Sequence, residues 1–273
     1  MNPGKCSIRA DFLEHQGRKL FYLLFQPSEV EARGSVLFLP PFAEEMNKSR
    51  HIVAVQARDI AAKGYNVLLL DLTGCGDSGG EFADASWQIW LQDAAFAVHT
   101  LTNLGAGPLI FWGLRMGALL ACELSQSRTD VEKLILWQPT LNGEQQIDQF
   151  LRLRTVLSGV NGQEPFDRKT LWNELRSGRS LEIAGYELSS TMALEIAKRR
   201  LNDLRPGCPV HWLEIGNLPN RRFSVASENV IRNWRGQGSR VEAMSVQGEP
   251  FWRIHEAGIN PELQCNTLEL LAR

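Results

Sequence analysis

The sequence has 273 residues, of which 44% are hydrophobic and 22% charged, with 29 Lys plus Arg against 31 Asp plus Glu. This composition excludes a disordered or low-complexity chain. A net charge of -2 removes the bulk attraction for phosphate backbones or anionic lipid, so neither nucleic acid nor a membrane surface is an expected partner. No apolar stretch reaches the roughly 18 residues of a membrane span. The five cysteines are scattered without a CxxC pair, an odd count that argues against a disulfide framework. Residues 1–16 carry no apolar core of the signal-peptide kind, and a cytoplasmic address is expected.

In chain order, residues 7–13 and 19–26 alternate about Gly17-Arg18 as a β-hairpin does. Ser35–Pro40 is a buried-strand run closed by two prolines, and Lys48–Lys63 has a helical apolar face ended by Gly64. Asn66–Asp71 is a second buried strand. Asp84–Leu101 is helical, with Trp87, Trp90, Leu91, Ala94 and Val98 on one face. Pro108–Trp112 is a third strand, entering a helix over Met116–Ser125, and Lys133–Trp137 is a fourth. Continuous apolar strands alternating with helices imply a parallel sheet covered on both faces, about eight strands in all. Residues 142–205 break the alternation. They are polar and helical, with no strand of the buried type, and read as a helical cap inserted into a single domain spanning 1–273. Val210–Ile215 and Val241–Val246 resume the strand pattern around a helix over Ser224–Trp234, and a last helix covers Pro261–Leu271.

The strand Pro108–Trp112 runs into Gly113-Leu114-Arg115-Met116-Gly117 and a helix. This resembles the nucleophile elbow of the α/β-hydrolases, G-x-S-x-G in a strand–turn–helix context. Glycines are needed there because the sharp turn brings two backbones together. The loop Asp71-Leu72-Thr73-Gly74-Cys75-Gly76-Asp77-Ser78 is similar to the D-x-x-G-x-G-x-S loop of that superfamily, and Pro40-Pro41-Phe42-Ala43 lies where it puts an oxyanion loop. The resemblance implies an α/β-hydrolase fold: a mainly parallel central sheet, helices on both faces and a helical cap.

It also implies a nucleophile, an acid after a late strand and a His after the last strand. The nucleophile position holds Arg115, whose guanidinium is permanently protonated and has no lone pair with which to attack a carbonyl. The loop for the acid, Gly216-Asn217-Leu218-Pro219-Asn220, offers asparagines, and Glu214 lies inside the strand. The segment for the His, Gln247 to Trp252, ends in aromatics, with His255 about a helical turn late. A Ser-His-Asp triad is therefore not expected.

Four longer segments are similar to one branch of the superfamily. PPFAEEMNKSR (40–50), DLTGCGDSGGEF (71–82), WGLRMGALLA (112–121) and GEPFW (248–252), with AGYELS (184–189), resemble the exosortase A system-associated hydrolase 2 family. That resemblance implies a place beside exosortase and exopolysaccharide functions, near a second hydrolase-like protein. It implies no catalytic residue set and no substrate.

From the residues themselves, Arg115 is either an anion site at a helix N-terminus or the partner of Glu44 or Glu45, since an unpaired buried guanidinium is costly. Glu44 and Glu45 read as an acid/base pair, or as one helix-capping carboxylate and one partner of Arg115. Cys75 has no activating neighbour in sequence and reads as inert. Asp77 and Ser78 read as turn residues, His51, His99 and His211 as packing or surface, and most tryptophans as core. Trp252 is expected to fill the pocket. No His/Cys/Asp cluster has metal spacing, and neither metal nor cofactor is expected. The ligand-binding candidates are Pro41, Phe42, Glu44, Glu45, Arg115, Met116 and Trp252, facing a small acyl or anionic molecule or a partner such as the neighbouring hydrolase-like protein. The competing reading is an active hydrolase or thioesterase-like enzyme whose rewired group is Glu45 or His255.

Overall fold

A computed structural model describes residues 6–28, 30–105, 107–160, 167–216, 223–254 and 258–273, the backbone alone over 155–160. Strands β1 (Cys6–His15) and β2 (Arg18–Pro27) form the opening hairpin, turning at Gln16 and Gly17, both at positive φ. The chain continues through β3 (Ser35–Leu39), α1 (Glu44–Ala62), β4 (Asn66–Leu70), α2 (Trp87–Thr102), β5 (Leu109–Leu114), α3 (Met116–Gln126) and β6 (Val131–Trp137). After α4 (Gly143–Val160) and α5 (Arg168–Arg176) come two three-residue strands, β7 (Leu181–Ile183) and β8 (Tyr186–Leu188), then α6 (Ser190–Ala197). The chain ends with β9 (Val210–Gly216), α7 (Val225–Gly236), β10 (Val241–Gln247) and α8 (Pro261–Ala272).

Eight strands make one sheet in the order β1-β2-β4-β3-β5-β6-β9-β10. β1 and β2 are antiparallel to their neighbours, and the remaining pairs are parallel. The five residues of β3 and the six of β5 are all buried, the pattern of strands covered on both faces. One face packs Leu37, Leu39, Phe111 and Trp212 against α2, α3 and α7, and the other packs Val36, Phe38, Trp112 and Trp137 against α1 and α8. The described residues of 142–205 add no strand to this sheet.

Two local features differ from the sequence reading. α1 begins at Glu44, a turn earlier than the expected Lys48, because two carboxylates in its first turn suit the positive end of the helix dipole. The hairpin β7-β8 was not expected. Its strands are too short to show a period, and its signal is the Ala184-Gly185 turn, both residues at positive φ.

The strand order reverses direction around β3 and β5, with β4 on one side and β6 on the other. In such sheets a crevice opens at the carboxyl ends of the strands where the order reverses. α1 and α3 start there.

Candidate functional site

β5 turns into α3 through Arg115, at φ 56 and ψ -116. A side chain rarely adopts this backbone, and it persists only where surrounding packing dictates it. Gly113 and Gly117 make the turn possible. A Cβ on Gly113 would stand 2.5 Å from Ala118 Cα, and one on Gly117 would fall on the Leu39 carbonyl oxygen. The turn is pinned from the next strand, with Arg115 N–H donating to the Trp137 carbonyl (2.9 Å) and the Arg115 carbonyl accepting from Thr140 N–H (3.0 Å). β3 enters α1 through a second turn of the same kind, with Ala43 at φ 51 and ψ -125. Two strained residues thus stand at the starts of α1 and α3.

Arg115 is 8% exposed and Glu45 7%. Arg115 Nε lies 3.3 and 3.4 Å from the two Glu45 carboxylate oxygens, and Nη2 lies 3.2 Å from Oε1. Nη2 also donates to Gln146 Oε1 (3.0 Å) and Gln149 Oε1 (3.2 Å) on α4. The Trp252 ring lies 5.4 Å from the guanidinium carbon, within cation–π range. Trp252 belongs to a short 3-10 turn, Phe251–Arg253, just beyond β10. A fork-shaped cation is thus held by one carboxylate, two amide oxygens and an aromatic face.

Above this floor is a cleft of about 320 Å³. Phe42, Glu44, Glu45 and Lys48 line it from the α1 side, and Gln146, Gln149, Phe150, Arg152 and Leu153 from α4, with Trp252 and Arg253 closing it. Phe42 anchors an aromatic cluster beneath, with ring centroids 5.5, 5.9 and 5.1 Å from Phe82, Trp90 and Phe150. The β7-β8 hairpin is tied to α1 where Asn47 donates to Tyr186 Oη (3.1 Å).

Glu44 differs from its neighbour. Its Oε2 is buried without a hydrogen-bond partner, and burial, with the adjacent Glu45, raises its carboxyl above the ordinary range. The N-cap residue of α1, Ala43, has no side chain to cap the helix, and both glutamates stand in its first turn.

Of the sequence candidates, Phe42, Glu44, Glu45 and Trp252 reach the cleft, with Arg115 beneath it. Pro41 and Met116 do not. Pro41 lines a separate cavity of about 120 Å³ between the sheet and α1, and Met116 is packed in the core, because the turn aims only its central residue at the crevice. Glu214 is occupied elsewhere, its Oε1 accepting from Ser224 N–H (3.0 Å) at the start of α7. His255 and residues 217–220 lie outside the described residues. Ser78 is spent on the backbone, donating to the Asp71 carbonyl (2.5 Å) and accepting from Phe21 N–H (2.8 Å). Burial pushes the Cys75 thiol far above its ordinary value. The sequence reading missed Lys48, Gln146, Gln149, Arg152 and Arg253. The available signal was Gln146 and Gln149 spaced three apart on α4, one face of a helix.

A mainly parallel sheet, a glycine-walled strand-to-helix turn and a cleft at the reversal point define a protein of the α/β-hydrolase fold. Solved structures similar to it include Est1E from Butyrivibrio proteoclasticus with ferulic acid bound, at TM-score 0.63 and 17% identity over 96% of this chain and 99% of that one. The mouse α/β-hydrolase domain-containing protein 10 matches at TM-score 0.62 and 16% identity over 97% and 98%. DcsB in complex with its substrate analogue matches at TM-score 0.65 and 14% identity over 97% and 99%. No protein of curated function matches the sequence. Residues 30–171 match the family described as serine aminopeptidase, S33, and the chain belongs to that family.

Proposed function

We propose that this chain is an α/β-hydrolase-fold protein without covalent catalysis, which binds a small anionic or acyl ligand, or a partner, in its cleft. The observation that carries this reading is Arg115 at the centre of the strained turn, held by Glu45, Gln146 and Gln149. A guanidinium there cannot attack a carbonyl, and the aromatic ring of Trp252 lies against it. Lys48, Arg152 and Arg253 at the rim favour an anionic headgroup, and Phe42, Phe150 and Leu153 favour an apolar tail. Residues 142–205 act as the cap of the single domain, since α4 supplies one wall of the cleft.

The exosortase A system is the setting we assign, with the neighbouring hydrolase-like protein as the candidate partner and the cytoplasm as the address. Support comes from the resembling segments, which supply Glu44, Glu45, Arg115 and Trp252 themselves. Among the described residues no helix is long and apolar enough to cross a membrane.

The competing reading keeps a hydrolase or thioesterase-like activity with a rewired group. Glu45 is committed to Arg115, which argues against it as a base. Glu44, with an unpartnered oxygen in the cleft wall, is the carboxylate that favours this second reading.

The test pairs activity with binding. Purified protein is exposed to a fluorophosphonate probe and to a panel of acyl esters and thioesters, and is titrated calorimetrically with a fatty-acid carboxylate. Absence of labelling and turnover, with carboxylate binding weakened by Lys48→Ala and Arg253→Ala, is the expected result. Stoichiometric labelling, or turnover abolished by Glu44→Gln, would overturn it.

A further inference from the structure

β1 is an edge strand of ten residues whose outer side has no partner in the sheet. Such an edge is a template for pairing, and proteins usually blunt it with Pro, Lys, a bulge or a covering element. Residues 6–14, CSIRADFLE, contain neither Pro nor Lys, and the register with β2 is unbroken from Cys6 to His15. Ile8 is 47% and Phe12 49% exposed, two large apolar side chains on one face of the strand.

The hairpin fixes which backbone groups are free. A two-residue turn makes the His15–Arg18 pair a hydrogen-bonded one, so odd-numbered residues of β1 bond to β2 and even-numbered ones point outward. The Phe12 N–H agrees with this, being taken up by its neighbour's Asp11 Oδ1 at 2.8 Å and not by β2.

The stretch Ile8-Arg9-Ala10-Asp11-Phe12 is self-complementary. When two copies of β1 are laid antiparallel about Ala10, the outward-pointing residues pair with outward-pointing residues. Ile8 then faces Phe12 of the second copy, twice, on one side of the sheet. Arg9 faces Asp11, twice, on the other side, in the closer, non-hydrogen-bonded pairs. Registers centred on Ile8 or Phe12 align fewer residues or lose the charge pairs. In the single chain Arg9 donates to Tyr22 Oη (2.9 Å) and lies over the Tyr22 ring, and Asp11 accepts from the Phe12 N–H. We propose that β1 pairs with β1 of a second copy of this chain about Ala10, joining two eight-stranded sheets into one sixteen-stranded sheet with a two-fold axis.

Sedimentation equilibrium tests this, with circular dichroism and melting as controls for folding. The wild type should sediment as a dimer. Ala10→Pro removes an outward N–H at the axis and should give a folded monomer. Arg9→Asp alone and Asp11→Arg alone place like charges opposite each other and should weaken the dimer about tenfold or more. An equimolar mixture of those two variants restores every opposite-charge pair and should form a heterodimer as tight as the wild type. A monomeric wild type overturns the proposal. So does a dimer that ignores Ala10→Pro, or a mixture of charge variants no tighter than either alone.

Discussion

Arg115 Nη2 lies 3.2 Å from Glu45 Oε1, and both side chains are more than nine-tenths buried. One comes from the end of β5 and the other from the first turn of α1, so the ion pair ties the two strained turns of the crevice together. A buried pair of this kind is worth little against an apolar replacement, but breaking it leaves a charge without compensation.

Arg115→Met or Glu45→Gln alone should therefore each cost about 3 kcal/mol in denaturant unfolding. The double variant Arg115→Met with Glu45→Gln should recover most of that loss. Additive losses in the double-mutant cycle would show that the two side chains do not stabilise each other.

Arg115→Ser puts a hydroxyl at the elbow and, on the proposed reading, is expected to restore no chemistry. The described residues around it are Glu45, Gln146, Gln149 and Trp252, none an imidazole, so nothing there is positioned to take the serine proton in the manner of a triad. Ester hydrolysis by this variant should remain at the background of the wild type, measured with a chromogenic short-chain ester. A strong gain in kcat would reveal a base in place.

Gly117 is walled by the end of β3. Gly117→Ala puts a methyl group on the Leu39 carbonyl oxygen, and backbone cannot move aside as a flexible side chain does. A loss of about 3 kcal/mol, or failure to fold, is expected from such overpacking. Gly185→Ala meets nothing nearby and serves as the control, carrying only the strain of its positive φ. Equal effects of the two would remove the close approach as the cause.

Glu44 gives a pH dependence with a definite sign. Its carboxyl is raised on folding, so between the ordinary and the raised value the native state holds more protons than the unfolded chain. Its effect on stability is most favourable below the ordinary carboxylate range and turns unfavourable as pH rises through that window. Glu44→Gln should raise the melting temperature at neutral pH, and the gain should vanish in acid. A gain independent of pH would mean that charge is not its source.

Sequence alone determined the sheet and its turn. The runs SVLFL, NVLLL and LIFWGL are apolar without alternation, which only strands buried on both faces require, and Gly113 and Gly117 bracket a turn where two backbones touch. The presence of a cation in that turn was equally legible, and so was its need for a carboxylate. Which carboxylate answered it was not. Glu44 and Glu45 are adjacent, and the start of α1 at Glu44 sets their directions, sending Glu45 to Arg115 and leaving Glu44 in the cleft wall. Gln146 and Gln149 share one helix face by their spacing, but that this face meets Arg115 was not legible, because the docking of their segment on the sheet has no sequence period. Met116 and Pro41 looked like site residues because they neighbour site residues in sequence. Only the tertiary structure decided that one turn directs a single side chain into the crevice and its neighbours into the core, since that direction depends on the backbone angles that packing imposes on Arg115 and Ala43.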